Sequence, residues 1–282
     1  MADAVNAATR AAVAAGARAV LASVHREVES PFSFYLKSQA KAAAALGIGF
    51  RDEAAPTADG PEGLVRRIRA LDADDRVDAI LLEHPLPPPF DFPAAIARVR
   101  LEKDVDGVSA ASLGRLLDQH PVHVPAVALA ALEIARHYDL PIEGERVAVV
   151  GRSETVGLPI ALLLARRAPG RNATVTIAHS QTPDLAAALA GHRTIFSCAG
   201  RPGLLTRQNV PEGAAIVDVG LSSVPDPSRP GGTRAVGDAD ARDLDGWASG
   251  LTPVPGGVGP VTVAELMANV MRAYALRHPG AT

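Results

Sequence analysis

The stretch of this sequence most suited to chemistry runs from Val147 to Pro159 and reads VAVVGRSETVGLP. Four apolar residues predict a buried parallel strand, Gly151 ends the strand, and an apolar helix is expected to start near Gly157. A strand that enters a helix through a glycine turn aims free backbone N–H groups at one point, and the partial positive charge of the helix N-terminus suits a pyrophosphate there. The usual G-x-G-x-x-G spacing is absent, because Ser153 stands where the second glycine would be. The alternative is a strand, turn and helix of an ordinary α/β domain.

The choice of cofactor is indicated by the residues after the next predicted strand, Ala173–Ala178. In an NAD site, an Asp or Glu near the end of this second strand accepts a hydrogen bond from the ribose 2′-OH. This chain has no acid there and continues His-Ser-Gln-Thr instead. The hydroxyl of Ser180 and the cation of Arg152 could face a 2′-phosphate, which favours NADP over NAD. The alternative for Arg152 is a solvated loop cation.

The elements that must position these residues form a predicted α/β fold with a parallel, helix-covered sheet. Later strands are predicted at Thr194–Cys198 and at Ala214–Val219, which ends in Gly220. The segment from Thr252 to Thr262, TPVPGGVGPVT, predicts a stiffened loop whose glycines let backbone approach a ligand. The remaining predictions are strands at 19–24 and 79–82, a strand that starts at 48–50, helices at 2–17, 33–45, 61–71, 125–137 and 263–276, and a surface loop at 222–230.

Composition narrows the classes of function. The 282 residues allow one large domain or two ordinary ones, and a net charge of −3 gives no general attraction to nucleic acid or to an anionic membrane. No apolar run approaches the roughly 20 residues that span a bilayer, and the N-terminus lacks the pattern of a signal peptide. Cys198 is the only cysteine, and no Cys/His cluster has metal-ligand spacing. The sequence therefore predicts a cytoplasmic protein without a metal site.

Five motifs carry a resemblance to a known family: Tyr35 on a helix that ends in KAAAALGI, PLP at Pro85–Pro87, KDVDG at Lys103–Gly107, VVGRSxxVGxP at Val149–Pro159, and TPVPGGVGP at Thr252–Pro260. Together they resemble the bifunctional methylenetetrahydrofolate dehydrogenase/methenyltetrahydrofolate cyclohydrolase family. The resemblance implies an enzyme, usually a homodimer, that passes a hydride from 5,10-methylenetetrahydrofolate to NADP and then opens the methenyl cation with water. It also implies two domains with folate in the cleft between them. These are an N-terminal folate and catalytic domain over residues 1–120, completed by the C-terminal helix 263–282, and a Rossmann-like NADP-binding domain over residues 121–262.

The resemblance assigns roles to individual positions. Tyr35 matches the tyrosine that lines the folate site, and Asp106 matches the carboxylate that holds the pterin. The expected substrate contacts further include Pro85 and Leu86 of the PLP turn and the loop that closes over substrate, Pro255, Gly256 and Gly257. The expected cofactor contacts are Gly151, Arg152, Ser153, Val156, Gly157, Ser180 and Gly220.

Three departures from the family pattern concern the chemistry. Gln39 stands where the family has a lysine four residues after its tyrosine, Glu83 replaces the glutamine of V-Q-L-P-L-P, and P-C-T-P becomes Pro125–Ala128. Glutamine cannot exchange a proton near neutral pH, so cyclohydrolase activity is predicted to be weak or absent, whereas hydride transfer needs mainly positioning and a cofactor. Glu83 would stabilise a neighbouring methenyl cation or act as a base. The predicted catalytic residues are Tyr35, Gln39, Glu83 and Asp106.

Two lysines lie on the same predicted helix as Tyr35 but are poor substitutes for the family lysine. Residues four apart share a helix face, which places Gln39 beside Tyr35. Lys37 lies about 200° around the helix from Tyr35, and Lys41 lies about one and two-thirds turns beyond it. Neither is expected to take over the proton transfer.

Two other interpretations stay open at the level of sequence. The first is a non-catalytic relative that binds folate or nucleotide for regulation or partner binding, with Gln39 and Glu83 as drift in an inactive site. The second is a dehydrogenase for a different one-carbon or imine substrate, in which Gln39, Glu83 and His84 would be substrate contacts. The intact cofactor turn and the TPVPGGVGP loop favour an enzyme on the folate substrate.

Overall fold

The computed structural model describes residues 1–26, 33–84, 86, 88–226, 228 and 232–280. Its backbone divides into two compact units. The first unit comprises Ala2–Ala126 together with the residues from Val263 onward, and the second comprises Val127–Thr262. Each unit contains its own parallel sheet, so the predicted α/β fold is confirmed.

Helices and strands alternate along most of the chain. The helices are α1 (Ala2–Ala14), α2 (Ser33–Leu46), α3 (Gly60–Ala73), α4 (Phe92–Ile96), α5 (Ala110–Leu117), α6 (Ala126–His137), α7 (Gly157–Ala165), α8 (Leu185–Leu189) and α9 (Val258–Arg277). The strands are β1 (Val20–Arg26), β2 (Gly49–Ala55), β3 (Ala79–Leu82), β4 (Arg146–Val150), β5 (Thr174–Ala178), β6 (Thr194–Ser197), β7 (Ala215–Asp218), β8 (Ser222–Pro225), β9 (Thr233–Val236) and β10 (Gly250–Leu251).

The first unit is organised around β1, which lies at the centre of a parallel sheet of order β2-β1-β3. Side chains along a strand point alternately to the two faces of its sheet. Ala22 and Val24 of β1 pack into the core that includes residues of α3 and α4. Leu21 packs on the other face, with residues of α2 and α9. Ser23 shares the face of Leu21, so its hydroxyl is directed towards α2.

The second unit contains a five-stranded parallel sheet of order β10-β7-β6-β4-β5. Its central strands β4, β6 and β7 are buried over nearly their whole length, which explains their continuous apolar sequences. The carboxyl ends of β4, β6 and β7 lie at one edge, because parallel strands end on the same side of a sheet. This edge carries the glycine turn that the sequence indicated.

Two sequence predictions in this unit are wrong. The segment predicted as a surface loop at 222–230 includes β8, which pairs antiparallel with β9 in a hairpin. The helix predicted to begin at Val263 begins at Val258, so residues 258–262 of the TPVPGGVGPVT segment are helical. Proline is tolerated at Pro260 because the N–H groups of the first helical turn have no intrahelical partner.

The other differences are smaller and have local causes. The helix predicted over residues 2–17 ends at Ala14, and the strand predicted to start at residues 48–50 runs over Gly49–Ala55. The short helices α4, α5 and α8 were not predicted, and each begins with a side-chain cap: Asp91, Ser109 and Asp184 accept a hydrogen bond from a backbone N–H of the first turn. Within the described residues, no helix has the length and apolar character that crossing a membrane requires.

Candidate active site

Three polar side chains from three separate elements meet at the end of the first sheet. Gln39 on α2 donates a hydrogen bond of 2.6 Å from Nε2 to Oε1 of Glu83, the residue that follows β3. Ser23 Oγ on β1 lies 3.1 Å from Gln39 Oε1 and 3.1 Å from Glu83 Oε1. The three side chains form a closed triangle. Gln39 and Ser23 are fully buried, and Glu83 is half-buried.

The backbone of the sheet fixes this triangle. Ser23 pairs with Leu81 in the register of β1 and β3, and the N–H of Glu83 donates to the carbonyl of Val24 at 2.9 Å. The parallel ladder thus continues past the end of β3 and holds Glu83 beside the central strand. On α2, the small residue Ala43 is fully buried one turn beyond Gln39, which allows the helix to lie close to the sheet.

Burial and hydrogen bonding act in opposite directions on Glu83. Burial raises the pKa of Glu83 above its ordinary value, and the hydrogen bonds from Gln39 and Ser23 oppose this rise. Gln39 presents its NH₂ group to the carboxyl group at 2.6 Å. Both donors bind Oε1, and within the described residues Oε2 of Glu83 has no hydrogen-bond partner. Glu83 therefore has one oxygen held by the protein and a second oxygen available to a ligand.

Tyr35 and Asp106 add a hydroxyl and a second carboxyl group to this region. Burial, together with the negative charges of Asp106 and Glu83, raises the pKa of Tyr35 well above its usual value. Burial and the charge of Asp104 raise the pKa of Asp106 to about 7, while a hydrogen bond from the N–H of Ala126 opposes the rise. The Tyr35 hydroxyl is therefore protonated at neutral pH, and Asp106 exchanges its proton near pH 7.

The loop that carries Asp106 is held by its two preceding charged residues. Lys103 is fully buried, and its Nζ donates to the carbonyls of Leu71, Asp72 and Asp74 at 3.2, 2.8 and 2.8 Å, at the C-terminal end of α3. Asp104 Oδ2 accepts from the N–H of Ser109 at 3.0 Å and from the hydroxyl of Ser112 at 2.5 Å. The KDVDG segment is thus anchored to α3 on one side and to the start of α5 on the other.

The glycine turn lies in the second unit, between β4 and α7. A Cβ on Gly157 would lie 2.4 Å from the carbonyl oxygen of Gly151, so the turn closes only with glycine. Ser153 Oγ accepts from the N–H groups of Val156 and Gly157 at 3.2 and 3.4 Å, so these two donors are not free as the sequence had suggested. The N–H groups of residues 152–155 donate no hydrogen bond to any described residue. These backbone donors, beside a helix of nine residues, fit an anionic group such as a pyrophosphate.

Other predicted cofactor residues follow the ends of neighbouring strands. Arg152 comes two residues after β4 and Ser180 two residues after β5, and both lie outside the buried core. Because β4 and β5 are parallel neighbours, Arg152 and Ser180 lie at the same edge of the sheet. Gly220, two residues after β7, donates its N–H to Asp218 Oδ1 at 3.0 Å and to the carbonyl of Ser197 at 3.1 Å. Its backbone donor is therefore already engaged.

The predicted substrate contacts are only partly described. Pro85 lies outside the described residues, and Leu86 packs against the core of the first unit. Gly256 has a φ of +108°, and Gly257 donates its N–H to the carbonyl of Pro253 at 2.8 Å. The loop with Pro255, Gly256 and Gly257 belongs to the second unit and leads directly into α9.

Two family models match this chain. The model described as the catalytic domain of tetrahydrofolate dehydrogenase/cyclohydrolase matches residues 1–106, and the model of the NAD(P)-binding domain of the same enzymes matches residues 125–278. The chain belongs to the tetrahydrofolate dehydrogenase/cyclohydrolase family. The resemblance drawn from the motifs is thereby confirmed.

Relatives in this family cover nearly the whole chain. The bifunctional protein FolD of Nocardia farcinica is 41% identical over 284 residues, which span 99% of this chain and 96% of that protein. The bifunctional protein FolD of Desulfovibrio desulfuricans is 38% identical over 268 residues, 95% of this chain and 92% of the relative.

Solved structures of the same family share this fold. The methylenetetrahydrofolate dehydrogenase-cyclohydrolase of Trypanosoma brucei, solved with NADP and an inhibitor, has a TM-score of 0.90 and 35% identity over 98% of this chain and 95% of that chain. The methylenetetrahydrofolate dehydrogenase of the silkworm Bombyx mori has a TM-score of 0.88 and 32% identity over 98% and 95% of the two chains.

Gln39 and Glu83, the two residues that differ from those expected from the family motifs, bind each other. Both positions could be identified from the sequence motifs, whereas Ser23, the third member of the triangle, was missed. A signal for Ser23 was present, since it is a single hydroxyl within the otherwise apolar run Ala19–Val24. A buried hydroxyl in a central strand requires a hydrogen-bond partner, and this one has Gln39 and Glu83.

Proposed function

We propose that this chain oxidises 5,10-methylenetetrahydrofolate to 5,10-methenyltetrahydrofolate with NADP as hydride acceptor, and that its cyclohydrolase activity is weak or lost. The observation that carries the proposal is the 2.6 Å hydrogen bond between Gln39 and Glu83. At the position where the family has a proton-transferring lysine, this chain has the neutral amide of Gln39, which is bound to the carboxyl group of Glu83. Membership of the family supports the dehydrogenase half of the proposal.

The chemistry of oxidation suits a carboxylate at this position. When bound, NADP supplies the acceptor for a hydride. A C–H bond of the one-carbon bridge breaks with its electron pair, and a nitrogen lone pair of the substrate forms a C=N bond, so that positive charge develops on the substrate. We place Glu83 beside that charge, where a fixed carboxylate lowers the energy of the cationic product and of the transition state before it. The hydrogen bonds from Gln39 and Ser23 favour the ionised form of Glu83 against the effect of burial and hold its side chain in position.

Hydrolysis of the methenyl cation requires a proton acceptor in the site, because the attacking water must lose a proton. The chain contains three lysines in all. Lys37 and Lys41 are exposed on α2, and Lys103 is buried with its Nζ bound to three carbonyls of the α3 end. None of them takes the place of the family lysine, which supports the loss of the second activity.

The preference for NADP rests on the second unit. The free N–H groups of residues 152–155 would hold the pyrophosphate, and Arg152 with Ser180 would hold the 2′-phosphate at the shared edge of β4 and β5. The NADP complex of the Trypanosoma brucei relative supports this assignment. A solved yeast relative that is named as NAD-dependent is 16% identical and informs on the fold alone.

The other residues of the proposal keep the roles that the resemblance implies. Tyr35 and Asp106 would contact the pterin side of the folate, and Asp106 would accept hydrogen bonds from it when ionised. The Pro255–Gly257 loop would close over the substrate. We predict a homodimer, and analytical ultracentrifugation tests this by measuring the molar mass in solution.

The proposal is tested by assaying the two reactions separately. NADPH formation from methylenetetrahydrofolate, followed by absorbance, is expected to be saturable, and added methenyltetrahydrofolate is expected to decay at close to its uncatalysed rate. Glu83→Gln should lower kcat by about 10- to 100-fold, whereas Glu62→Gln, an exposed charge on α3, should leave it within about twofold.

The outcomes separate the competing interpretations. Rapid enzyme-dependent hydrolysis of the methenyl compound would contradict the argument from Gln39. Binding of folate and NADP without NADPH formation would indicate the non-catalytic relative. NADPH formation that requires another one-carbon or imine substrate would indicate the third interpretation, in which His84 contacts the substrate.

A further inference from the structure

Two buried carboxylates in the second unit belong to none of the predicted sites. Asp218 is the last residue of β7 and Asp238 lies two residues beyond β9, and they are 2% and 0% exposed. Within the described residues, neither carboxylate forms an ion pair. A buried carboxylate without a cation must be held by hydrogen-bond donors, and these donors show what the two residues organise.

Asp238 is hydrogen-bonded to the end of β6 and to the loop that follows it. Its carboxylate accepts from the hydroxyl of Ser197 at 2.8 Å and from the N–H groups of Ala199 and Arg201, both at 2.7 Å. Three donors within five consecutive residues therefore converge on one side chain that lies about 40 positions further along the chain. The loop at the carboxyl end of β6 has its shape set by Asp238.

Asp218 binds the segment after β7 and the segment after β9. Its carboxylate accepts from the N–H groups of Gly220, Asp238 and Ala239 at 3.0, 3.1 and 2.8 Å. The backbone N–H of Asp218 also donates to Thr252 Oγ1 at 2.8 Å, at the start of the Pro255–Gly257 loop. Asp218 thus fixes Asp238 and connects the β7 end to that loop.

Two glycines leave room for the carboxylates. A Cβ on Gly220 would lie 2.3 Å from the Asp238 carboxyl group, and a Cβ on Gly237 would lie 2.1 Å from Asp218 Oδ2. Any other residue at either position would displace a carboxylate from its donors. Gly220, predicted as a cofactor contact, therefore has a separate structural reason to be glycine.

The network reaches the glycine turn through Cys198, which lies between Ser197 and Ala199. The N–H of Cys198 donates to the carbonyl of Val150 at 2.8 Å, and a Cβ on Gly151 would lie 2.5 Å from the carbonyl oxygen of Cys198. The loop that Asp238 shapes therefore lies against the turn that carries the free N–H groups. In open parallel sheets, ligands bind outside the carboxyl ends of the strands.

We propose that Asp218 and Asp238 are positioning residues for the cofactor, which set the loops after β6 and β7 against the Gly151 turn so that its backbone donors can bind a dinucleotide. This inference rests on the proposed NADP-dependent oxidation. Neither carboxylate contacts the cofactor; each acts through the backbone that it holds.

The electrostatics agree with this arrangement. Burial raises the pKa of Asp218 to about 6, against the lowering effect of its backbone N–H donors, so the group is ionised at neutral pH. The other titratable group that senses both carboxylates is Cys198, whose thiol pKa is raised to about 12 by burial and then by the charges of Asp238 and Asp218. Replacing either Asp with Asn keeps the shape but substitutes a donor for one acceptor oxygen, so at least one loop N–H loses its partner.

The test compares Asp218→Asn and Asp238→Asn with Asp245→Asn, which removes an exposed charge in the same unit. NADP affinity is measured by calorimetry, without turnover. We expect the two buried variants to raise the NADP Kd and KM by about 10-fold while the folate KM and kcat at saturating NADP stay within about threefold, and Asp245→Asn to behave as wild type.

Stability is followed through Trp247, the only tryptophan, which lies in the second unit. If the variants lose stability while the NADP Kd is unchanged, the carboxylates are merely structural and the inference is wrong. If wild-type protein shows no NADP binding by calorimetry, the proposed function itself fails. If wild type and all variants bind NADP equally, only the present inference fails.

Discussion

Gln39 and Glu83, which lie 44 positions apart in the chain, are joined by a 2.6 Å hydrogen bond from the amide to the carboxylate. Each satisfies the other, because the amide offers the donor that a half-buried carboxylate needs. The pair also places a neutral amide, which cannot exchange a proton near neutral pH, beside Glu83. A lysine placed at residue 39 would find Glu83 within reach and form an ion pair.

The first prediction is that cyclohydrolase activity requires two changes together. In Gln39→Lys alone, the lysine stays protonated against Glu83, because a neighbouring negative charge raises its pKa. In the double variant with Glu83→Gln, we expect enzyme-dependent decay of methenyltetrahydrofolate to increase by about 10-fold or more over wild type. The measurement is the loss of methenyl absorbance. Lys37→Gln, an exposed change on the same helix, is the control, and an equally large gain in Gln39→Lys alone would contradict the argument.

The second prediction concerns Asp106, whose pKa is raised to about 7 by burial and the charge of Asp104. An acid with a raised pKa binds more protons in the folded state, so its contribution to stability falls as the pH rises from about 4 to 7. Asp106→Asn removes this loss, and we expect it to increase the free energy of unfolding at pH 8 by roughly 1–3 kcal/mol. Denaturant unfolding of wild type and of Asp106→Asn at pH 5 and at pH 8 measures the difference in the free energy of unfolding.

The same substitution should impair function. The folate KM of Asp106→Asn is expected to rise by about 10-fold at pH 8, because the amide cannot replace the carboxylate as an acceptor on both oxygens. In wild type, kcat/KM for folate should fall as the pH drops through about 7. A variant that is destabilised at pH 8 but binds folate normally would show that Asp106 is a structural residue.

The third prediction concerns Gly157, where a Cβ would lie 2.4 Å from the carbonyl oxygen of Gly151. Gly157→Ala must open the turn, and we expect the NADP Kd to rise by about 100-fold because the backbone that carries the N–H groups of residues 152–155 is displaced. Gly250→Ala is the matched control, since nothing lies near its Cβ position. Calorimetric titration with NADP compares the two variants, and near-wild-type affinity in Gly157→Ala would contradict the assignment of the turn.

The fourth prediction concerns Lys103, which is fully buried and donates to three carbonyls at the end of α3. Lys103→Met keeps the apolar stem but removes all three hydrogen bonds, and we expect a loss of about 1–3 kcal/mol in the free energy of unfolding. Lys41→Met, exposed on α2, should change it by less than about 0.5 kcal/mol. Urea unfolding measures both.

The pH dependence gives this prediction a second readout. Burial lowers the pKa of Lys103 from 10.5 to about 8, so the unfolded state binds more protons between these values. Wild type should therefore gain stability from this group as the pH rises above about 8, and Lys103→Met should lack that gain. Parallel stability curves for the two proteins above pH 8 would contradict the assignment.

Much of the fold could be predicted because its signals are local. The buried strands β3, β4, β6 and β7 are short apolar runs, and the glycine turn follows from the spacing of Gly151 and Gly157. The pairing of β8 with β9 could not be predicted in the same way, because the partly exposed residues of these strands resemble a loop and the pairing joins two separate segments of the chain. The early start of α9 was missed because proline counts against a helix everywhere except in its first turn.

The site shows the same division between local and non-local information. Motif resemblance singled out Gln39, Glu83 and Asp106 as positions, but the contact between Gln39 and Glu83 depends on how α2 packs on the sheet. Ser23 and the pair Asp218 and Asp238 had no motif of their own, since a lone polar residue beside an apolar strand has many possible partners. Only the three-dimensional arrangement shows which ones it has.

The triangle of Ser23, Gln39 and Glu83 also has an evolutionary consequence. Because Gln39 and Glu83 bind each other, a mutation of either one leaves its partner without this hydrogen bond. We therefore expect the two positions to covary among relatives, so that the residue at one position indicates the residue at the other.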